Sequence, residues 1–218
     1  MVKIYLDGAD LATIDAFSTD PRIEGFTTNP TLMRKSGITD YRAFAREVLT
    51  RIGGKPVSFE VLSDDFAQMY EQARAIASWA PNVLVKIPVT NTKGESTREL
   101  IESLGDTNMN ITAVMTNAQI LHLNPVLREN HIVSVFNGRI MDTGERPLRM
   151  TQRRNRWKSL WASPRAIHDY YLAHSNGYDI ITLTPELFRK LDLRGKDLTQ
   201  YSVETVKMFF EDGKGLTL

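Results

Sequence analysis

No cysteine occurs in the 218 residues, so disulfides, thiolate zinc sites and cysteine nucleophiles are excluded together. Histidine is scarce too: His122, His131, His168 and His174 show no HExxH-like spacing, which argues against a histidine-rich metal site. No metal and no cofactor are expected. An excess of one charge is also missing. Twenty-seven Lys and Arg stand against 26 Asp and Glu, a net charge of +1, which argues against a nucleic-acid or membrane footprint built on bulk electrostatics. Any phosphate recognition must therefore be local. The opening MVKIYLDGAD has an acidic residue at position 7 and no apolar run of signal length, so a cytoplasmic protein is expected. Low-complexity segments and Pro/Gly/Ser linkers are absent as well, and residues 1–218 read as one domain.

What is present is a repeated alternation. Eight short apolar, β-branched runs recur: KIYLD, GFTTNP, PVSFEVL, NVLVKIPV, NMNITAVMT, HIVSVFNGRI, RWKSLWAS and YDIITLT. Longer amphipathic stretches separate them, notably 39–52, 64–80 and 116–130. Asp64 and Thr116 are plausible N-caps, Pro164 stands at a plausible first helical position with Gly177 near the stop, and Pro125 predicts a kink or break. Successive strand–helix units indicate a parallel sheet, most simply closed as an α/β (β/α)8 TIM barrel with a C-terminal helical extension over 198–218. An open doubly wound sheet is the alternative, but the GxGxxG fingerprint is missing.

Alternation within the runs locates a candidate site. If Lys86 points into the barrel with Leu84, then Val83, Val85 and Ile87 face the helices, an entirely apolar set. The same split sets Tyr5 and Asp7 against Ile4 and Leu6, and Ser58 and Glu60 against Val57, Phe59 and Val61. It also sets Asn110 and Thr112 against Ile111 and Ala113, and Ser134 and Phe136 against Val133 and Val135. Asp7, Asn29, Glu60, Lys86, Asn110, Thr112 and Ser134 would then form one ring at the C-terminal ends of the strands, where barrel active sites are built. Taken singly, each has a bland explanation: the carboxylates could simply pair with Lys86, and the Asn and Thr residues could cap helices. Convergence of seven polar residues under one geometric rule favours a site, because buried polar groups without partners or purpose are costly.

Burial of an amine disfavours its ammonium form and leaves a nucleophile. Such amines form Schiff bases with ketones, and the iminium stabilises a neighbouring carbanion, which is aldol chemistry without a metal. Asp7 and Glu60 suit general acid and base roles. The surrounding amides and hydroxyls suit a polyhydroxylated substrate.

These residues resemble the transaldolase family. The resemblance rests on IYLDGAD, GFTTNPTLM, SFEV, VKIPVT, NITAVMT and SVFNGRIMD, which follow in order from residue 3 to about 190. It implies a (β/α)8 barrel that moves a three-carbon dihydroxyacetone unit from a ketose phosphate, such as fructose 6-phosphate or sedoheptulose 7-phosphate, to an aldose phosphate. Carried over by motif, Lys86 is the Schiff-base former, Asp7 the acid/base at the substrate hydroxyl and Glu60 the residue that acts through a water oriented by Thr112. The same motifs assign Thr28, Asn29, Asn110, Ser134, Phe136, Arg139 and Ser159 to substrate binding, with Arg139 at the phosphate. Glu60 and Phe136 stand where the related fructose-6-phosphate aldolases typically have glutamine and tyrosine, which favours transaldolase.

One departure concerns the seventh strand. The family usually shows a Ser-Phe-Arg or Ser-Phe-Lys string there, whereas KSLWASPR gives Ser159 followed by Leu160 and Trp161. Arg165, or the basic run TQRRNRW at 151–157, could take the place of the missing cation, although a solvated charged face is the commoner role of such a run. The family also implies a homo-oligomer, up to a decamer, in which the C-terminal helix packs on a neighbour through Val203, Val206, Met208, Phe209 and Phe210; a helix that closes its own barrel is the alternative. Three other readings of function remain: an aldolase using free dihydroxyacetone, a biosynthetic transaldolase with an unusual acceptor, and a sugar-phosphate-binding pseudoenzyme.

Overall fold

The computed structural model describes residues 1–150 and 156–217. Eight strands form: β1 (Lys3–Asp7), β2 (Ile23–Thr27), β3 (Val57–Glu60), β4 (Val83–Pro88), β5 (Met109–Val114), β6 (His131–Val135), β7 (Lys158–Trp161) and β8 (Ile180–Leu183). Each pairs in parallel with the next, and β8 returns to β1, so the sheet closes into a barrel in sequence order. Crossovers between parallel neighbours require helices. These are α1 (Leu11–Ser18), α2 (Pro30–Lys35), α3 (Tyr41–Arg51), α4 (Phe66–Ala77), α5 (Arg98–Ser103), α6 (Asn117–Leu123), α7 (Asn137–Asp142) and α8 (His168–Ser175), and α9 (Pro185–Arg189) follows the last strand. The fold is a (β/α)8 barrel.

Several helix starts are fixed by the sequence just after the strands end. Asp10, Asn29, Asp40 and Asp65 each accept a backbone N–H of the first turn, and Thr116 forms a capping box with Gln119. The cap of α4 is thus Asp65 rather than Asp64, whose carboxylate instead accepts from the Thr92 backbone and hydroxyl at 2.7 and 2.6 Å. α6 ends at Leu123, before Pro125, as the missing proline N–H demands. The run HIVSVFNGRI divides: its second half is α7, because Phe136 leaves the strand region at ψ 59°. Pro164 lies outside α8, which starts at His168.

Inside the barrel, Tyr5, Leu84, Ile132, Leu160, Ala162 and Ile180 pack as one apolar cluster. Val83, Val85, Ile87, Val133 and Val135 are buried on the opposite, helix-facing side. Gly25 is required where the Tyr5 ring crosses β2, since a Cβ there would lie 2.6 Å from that ring. Burial raises the Tyr5 hydroxyl to about 12.

The chain divides into two compact units, Met1–Phe188 and Arg189–Leu218. The second carries a short 3-10 turn and α10 (Leu198–Gly213), capped by Asp197 through the Gln200 N–H at 2.8 Å. Lys196 pairs with Glu204 and stands over the Tyr201 ring. Val203, Val206, Met208, Phe209 and Phe210 are exposed along α10.

Candidate active site

A cleft of about 660 Å³ opens at the C-terminal ends of the strands. Lys86 stands at its floor, 7% exposed, paired in register with Glu60 on β3 and Asn110 on β5. Its Nζ lies 3.1 Å from Glu60 Oε2 and donates to the Thr28 carbonyl at 3.0 Å. The amine is therefore held by a carboxylate on the neighbouring β3 and a main-chain oxygen just past the end of β2, two strands away. Tyr41 from α3 donates to the Glu60 carbonyl at 3.0 Å and packs edge-on against Phe59 and Trp79. That wedge fixes the end of β3.

Asp7 keeps one edge open to the cleft while protein closes in elsewhere. Loss of water raises its carboxyl above the ordinary value, and Glu60 adds to the rise; Lys86 and hydrogen bonds from Thr27 and Asn29 oppose it. The Thr27 hydroxyl donates to Asp7 at 2.9 Å. Glu60 thus pairs with Lys86 directly, while Asp7 feels the charge of both.

On the other side of Lys86, the register of β5 against β6 slips between Ile111 and Val114, and Ala113 takes a left-handed φ of 61°. The irregularity turns both Thr112 and Ala113 toward the cleft. The Thr112 hydroxyl is buried without a protein partner, which suits it to hold a water or a substrate oxygen. Ser134 and Phe136 complete that wall.

Among the described residues, the cations Lys35, Arg139 and Arg165 line the rim. The Arg139 guanidinium lies 5.5 Å from the Phe136 ring centroid. Arg165 is anchored by Asp142, with Nε contacts of 3.1 and 3.0 Å, and reaches the Ser163 hydroxyl at 3.3 Å. That pairing holds Asp142 below the usual carboxylate range. Ser163 adopts φ 60°, and a Cβ on Gly138 would lie 1.6 Å from its carbonyl oxygen. Only glycine lets the first turn of α7 come this close to the loop after β7, and the approach sets Arg139 beside Arg165.

Asp7, Asn29, Glu60, Lys86, Thr112, Ser134, Phe136 and Arg139 are brought together in this cleft as the sequence led us to expect. Three expected members do not line it. Thr28 is fully buried, and its hydroxyl is committed to the Ser58 carbonyl at 2.8 Å. Asn110 lies beneath the floor, donating to Ser58 Oγ at 3.0 Å and accepting from Ser134 Oγ at 2.6 Å. Ser159 sits at the start of β7, where Asp179 Oδ2 takes both its N–H and its hydroxyl. Leu160 belongs to the interior cluster, so Ser159 and Trp161 point outward; Trp161 packs against Tyr178 and leaves the phosphate question untouched. The basic stretch 151–155 lies outside the described residues. Thr27, Lys35, Ser163 and Thr182 were not anticipated as cleft residues. Counting the strand alternation from Leu160 and from Ile180 would have found Ala162 and Thr182.

The fold and site together define a (β/α)8 barrel with a lysine-centred polar cleft at the C-terminal ends of its strands and no cluster of possible metal ligands among the described residues. The family model described as transaldolase/fructose-6-phosphate aldolase matches residues 4–217, and the chain belongs to that family. A protein of Dehalococcoides mccartyi named "Probable transaldolase" is 36% identical over 143 residues, covering 66% of this chain and 64% of the relative. A Streptococcus pyogenes protein of the same name is 34% identical over the same shares. The match thus spans somewhat under two thirds of these relatives' length. Among solved structures, orotidine 5'-monophosphate decarboxylase from Sulfolobus solfataricus superposes with a TM-score of 0.53 at 17% identity, covering 97% of this chain and 99% of that one. N-acetylneuraminate lyase from Mycoplasma synoviae gives a TM-score of 0.51 at 10% identity, with 97% and 83% covered. Both share the barrel architecture. No helix among the described residues is long and apolar enough to cross a membrane.

Proposed function

We propose that this protein is a transaldolase that works through a Schiff base on Lys86. The observation that carries the reading is a buried lysine amine 3.1 Å from Glu60, in one cleft with Asp7 and with arginines at the rim. The amine adds to the C2 carbonyl of a ketose phosphate, and the carbinolamine loses water to give an iminium. Glu60, through a water held at the free Thr112 hydroxyl, supplies and removes the protons of that dehydration. Asp7 takes the C4 hydroxyl proton as the C3–C4 bond breaks; the electron pair moves into the iminium to give an enamine, and an aldose phosphate leaves. Addition of the enamine to a second aldose phosphate returns the proton from Asp7, and hydrolysis restores the amine.

Arg139 and Arg165, the latter held by Asp142 and reaching the Ser163 hydroxyl, give the phosphate a two-cation anchor. This supplies at Arg165 the cation that Trp161 seemed to displace. The protein would act on soluble sugar phosphates in the cytoplasm, with no cofactor, and the exposed apolar residues of α10 would be covered by another copy in a homo-oligomer.

The test is borohydride trapping with fructose 6-phosphate, read by intact mass and peptide mapping, with and without erythrose 4-phosphate. A reduced adduct on Lys86, and sedoheptulose 7-phosphate formed only with acceptor, is the expected result. Free dihydroxyacetone released without acceptor would establish an aldolase instead. Sugar-phosphate binding with no adduct would overturn the enzymatic reading.

A further inference from the structure

The proposed chemistry requires Asp7 to gain and lose a proton, and two hydroxyls stand in line behind its carboxylate. Thr27 Oγ1 lies 2.9 Å from Asp7 Oδ1 and 2.5 Å from Thr182 Oγ1. Both threonines are buried, at 3% and 5% exposure, and both lie in the cleft wall. Each hydroxyl carries a single proton, so the direction of the chain is constrained. When Asp7 is ionised, the Thr27 proton points at the carboxylate, and the short contact between the threonines must be filled by the Thr182 proton. When Asp7 is protonated, the carboxyl group can donate to Thr27, and Thr27 to Thr182.

We propose that Thr182 is a positioning residue: its hydroxyl orients Thr27 toward Asp7 and so holds the carboxylate in the base form that cleaves the carbon–carbon bond. The inference rests on the assignment of Asp7 as the acid/base. No proton leaves the chain in either state; the hydroxyls rotate, and the only proton exchanged is the one passed between substrate and Asp7. Hydrogen bonds in series strengthen one another, and most so when they end on a charged acceptor. Removing the first donor therefore destabilises ionised Asp7 more than neutral Asp7. The other groups acting on Asp7 are Lys86 on β4, Glu60 on β3 and Asn29 at the start of α2, and all remain in place without the Thr182 hydroxyl.

Placement makes the residue rigid. Thr182 pairs with Tyr5 across the β8–β1 seam, and its neighbours Ile181 and Leu183 are fully buried. Thr182→Val keeps the shape and removes only the hydroxyl, while Thr182→Ser keeps the hydroxyl.

The experiment compares the unmodified enzyme, T182V and T182S in transfer from fructose 6-phosphate to erythrose 4-phosphate across pH, alongside borohydride trapping and a carbon-13 titration of the Asp7 carboxyl in the uncomplexed protein. In T182V we expect kcat about tenfold lower, a modest share of what acid–base catalysis supplies. The acid limb and the Asp7 titration midpoint should both move to higher pH, with trapping on Lys86 unchanged and T182S close to the unmodified enzyme. A T182V profile and midpoint that coincide with the unmodified enzyme's overturn the proposal. Equal losses in T182V and T182S, with weaker trapping, overturn it as well, since packing rather than the hydroxyl would then be responsible. If the unmodified enzyme forms no adduct and turns nothing over, the functional reading fails; the carboxyl titration then decides the hydrogen-bond chain alone, and an unmoved midpoint in T182V overturns it.

Discussion

At the N-terminal pole of the barrel, Tyr5, Leu84, Ile132, Leu160 and Ile180 close the interior with apolar side chains. One pleat further along the same strands, Asp7, Lys86, Ser134 and Thr182 face the cleft at the other pole. The step from one layer to the next is two residues, the strand repeat. Over that distance the interior changes from a packed core to a site whose polar groups are incompletely satisfied, as the free Thr112 hydroxyl and the raised Asp7 carboxyl show. The backbone differs in the same sense: among the described residues, the non-glycine positions with left-handed φ, Ala113 and Ser163, both lie in the cleft wall. Each costs on the order of 1 kcal/mol. Stability is invested at one end and drawn on at the other.

Four changes would break or sharpen this contrast. Lys86→Ala should reduce turnover by roughly 10⁴-fold or more, since the covalent step is lost. Steady-state assays on fructose 6-phosphate would measure it, and full activity in the variant would remove the lysine from the chemistry.

Asp7→Asn should lower kcat by about 10²- to 10³-fold while leaving the protein as stable or more so. The sign follows from the raised carboxyl: folded Asp7 binds its proton more tightly than unfolded Asp7, so its contribution is full at low pH and is lost as pH rises through the folded value. Melting temperatures of both proteins, followed from below the ordinary carboxylate value of 3.8 up to pH 8, should diverge in the variant's favour toward the higher pH.

Leu160→Ala acts at the opposite pole. It should cost about 2–5 kcal/mol in urea unfolding, the usual range for a buried leucine, with kcat per folded molecule close to unchanged. A large loss of kcat at full stability would mean that the two layers are not separable.

The smallest effect belongs to His131, which starts β6, accepts the Arg128 N–H through Nδ1 at 3.1 Å and is pushed down to about 4, chiefly by burial and then by Arg128. Unfolded histidine takes up a proton near 6.5, folded His131 only near 4, so stability falls as pH drops through that window. His131→Asn, which can keep the Arg128 bond, should flatten the acid loss by no more than about 3 kcal/mol. Chemical denaturation at pH 7 and pH 4.5 would show it, and an unchanged slope would place the acid sensitivity elsewhere.

Much of the cleft was legible because strand alternation is local. Lys86, Glu60, Asp7 and Thr112 could be placed by counting in twos from an apolar helix-facing set. Ser159 came from the motif resemblance and not from the count; in the structure it faces away from the cleft, its partner Asp179 is 20 residues away, and nothing in KSLWAS marks that contact. Thr28 and Asn110 stand behind the cleft wall for a related reason. Protein partners hold their side chains: Ser58 takes the Thr28 hydroxyl and the Asn110 amide N–H, and Ser134 donates to the Asn110 amide oxygen.

The sequence by itself determined the alternation of strands and helices, the caps that start α1, α2, α3 and α6, and the direction in which most strand side chains point, because each depends on residues a few positions apart. Closure was decided only in three dimensions. It brings Thr182 within 2.5 Å of Thr27 across 155 residues and sets Ser163 and Arg165 against Gly138. Which polar atoms meet inside a barrel depends on the tilt and stagger of the closed sheet, and no single strand carries that information.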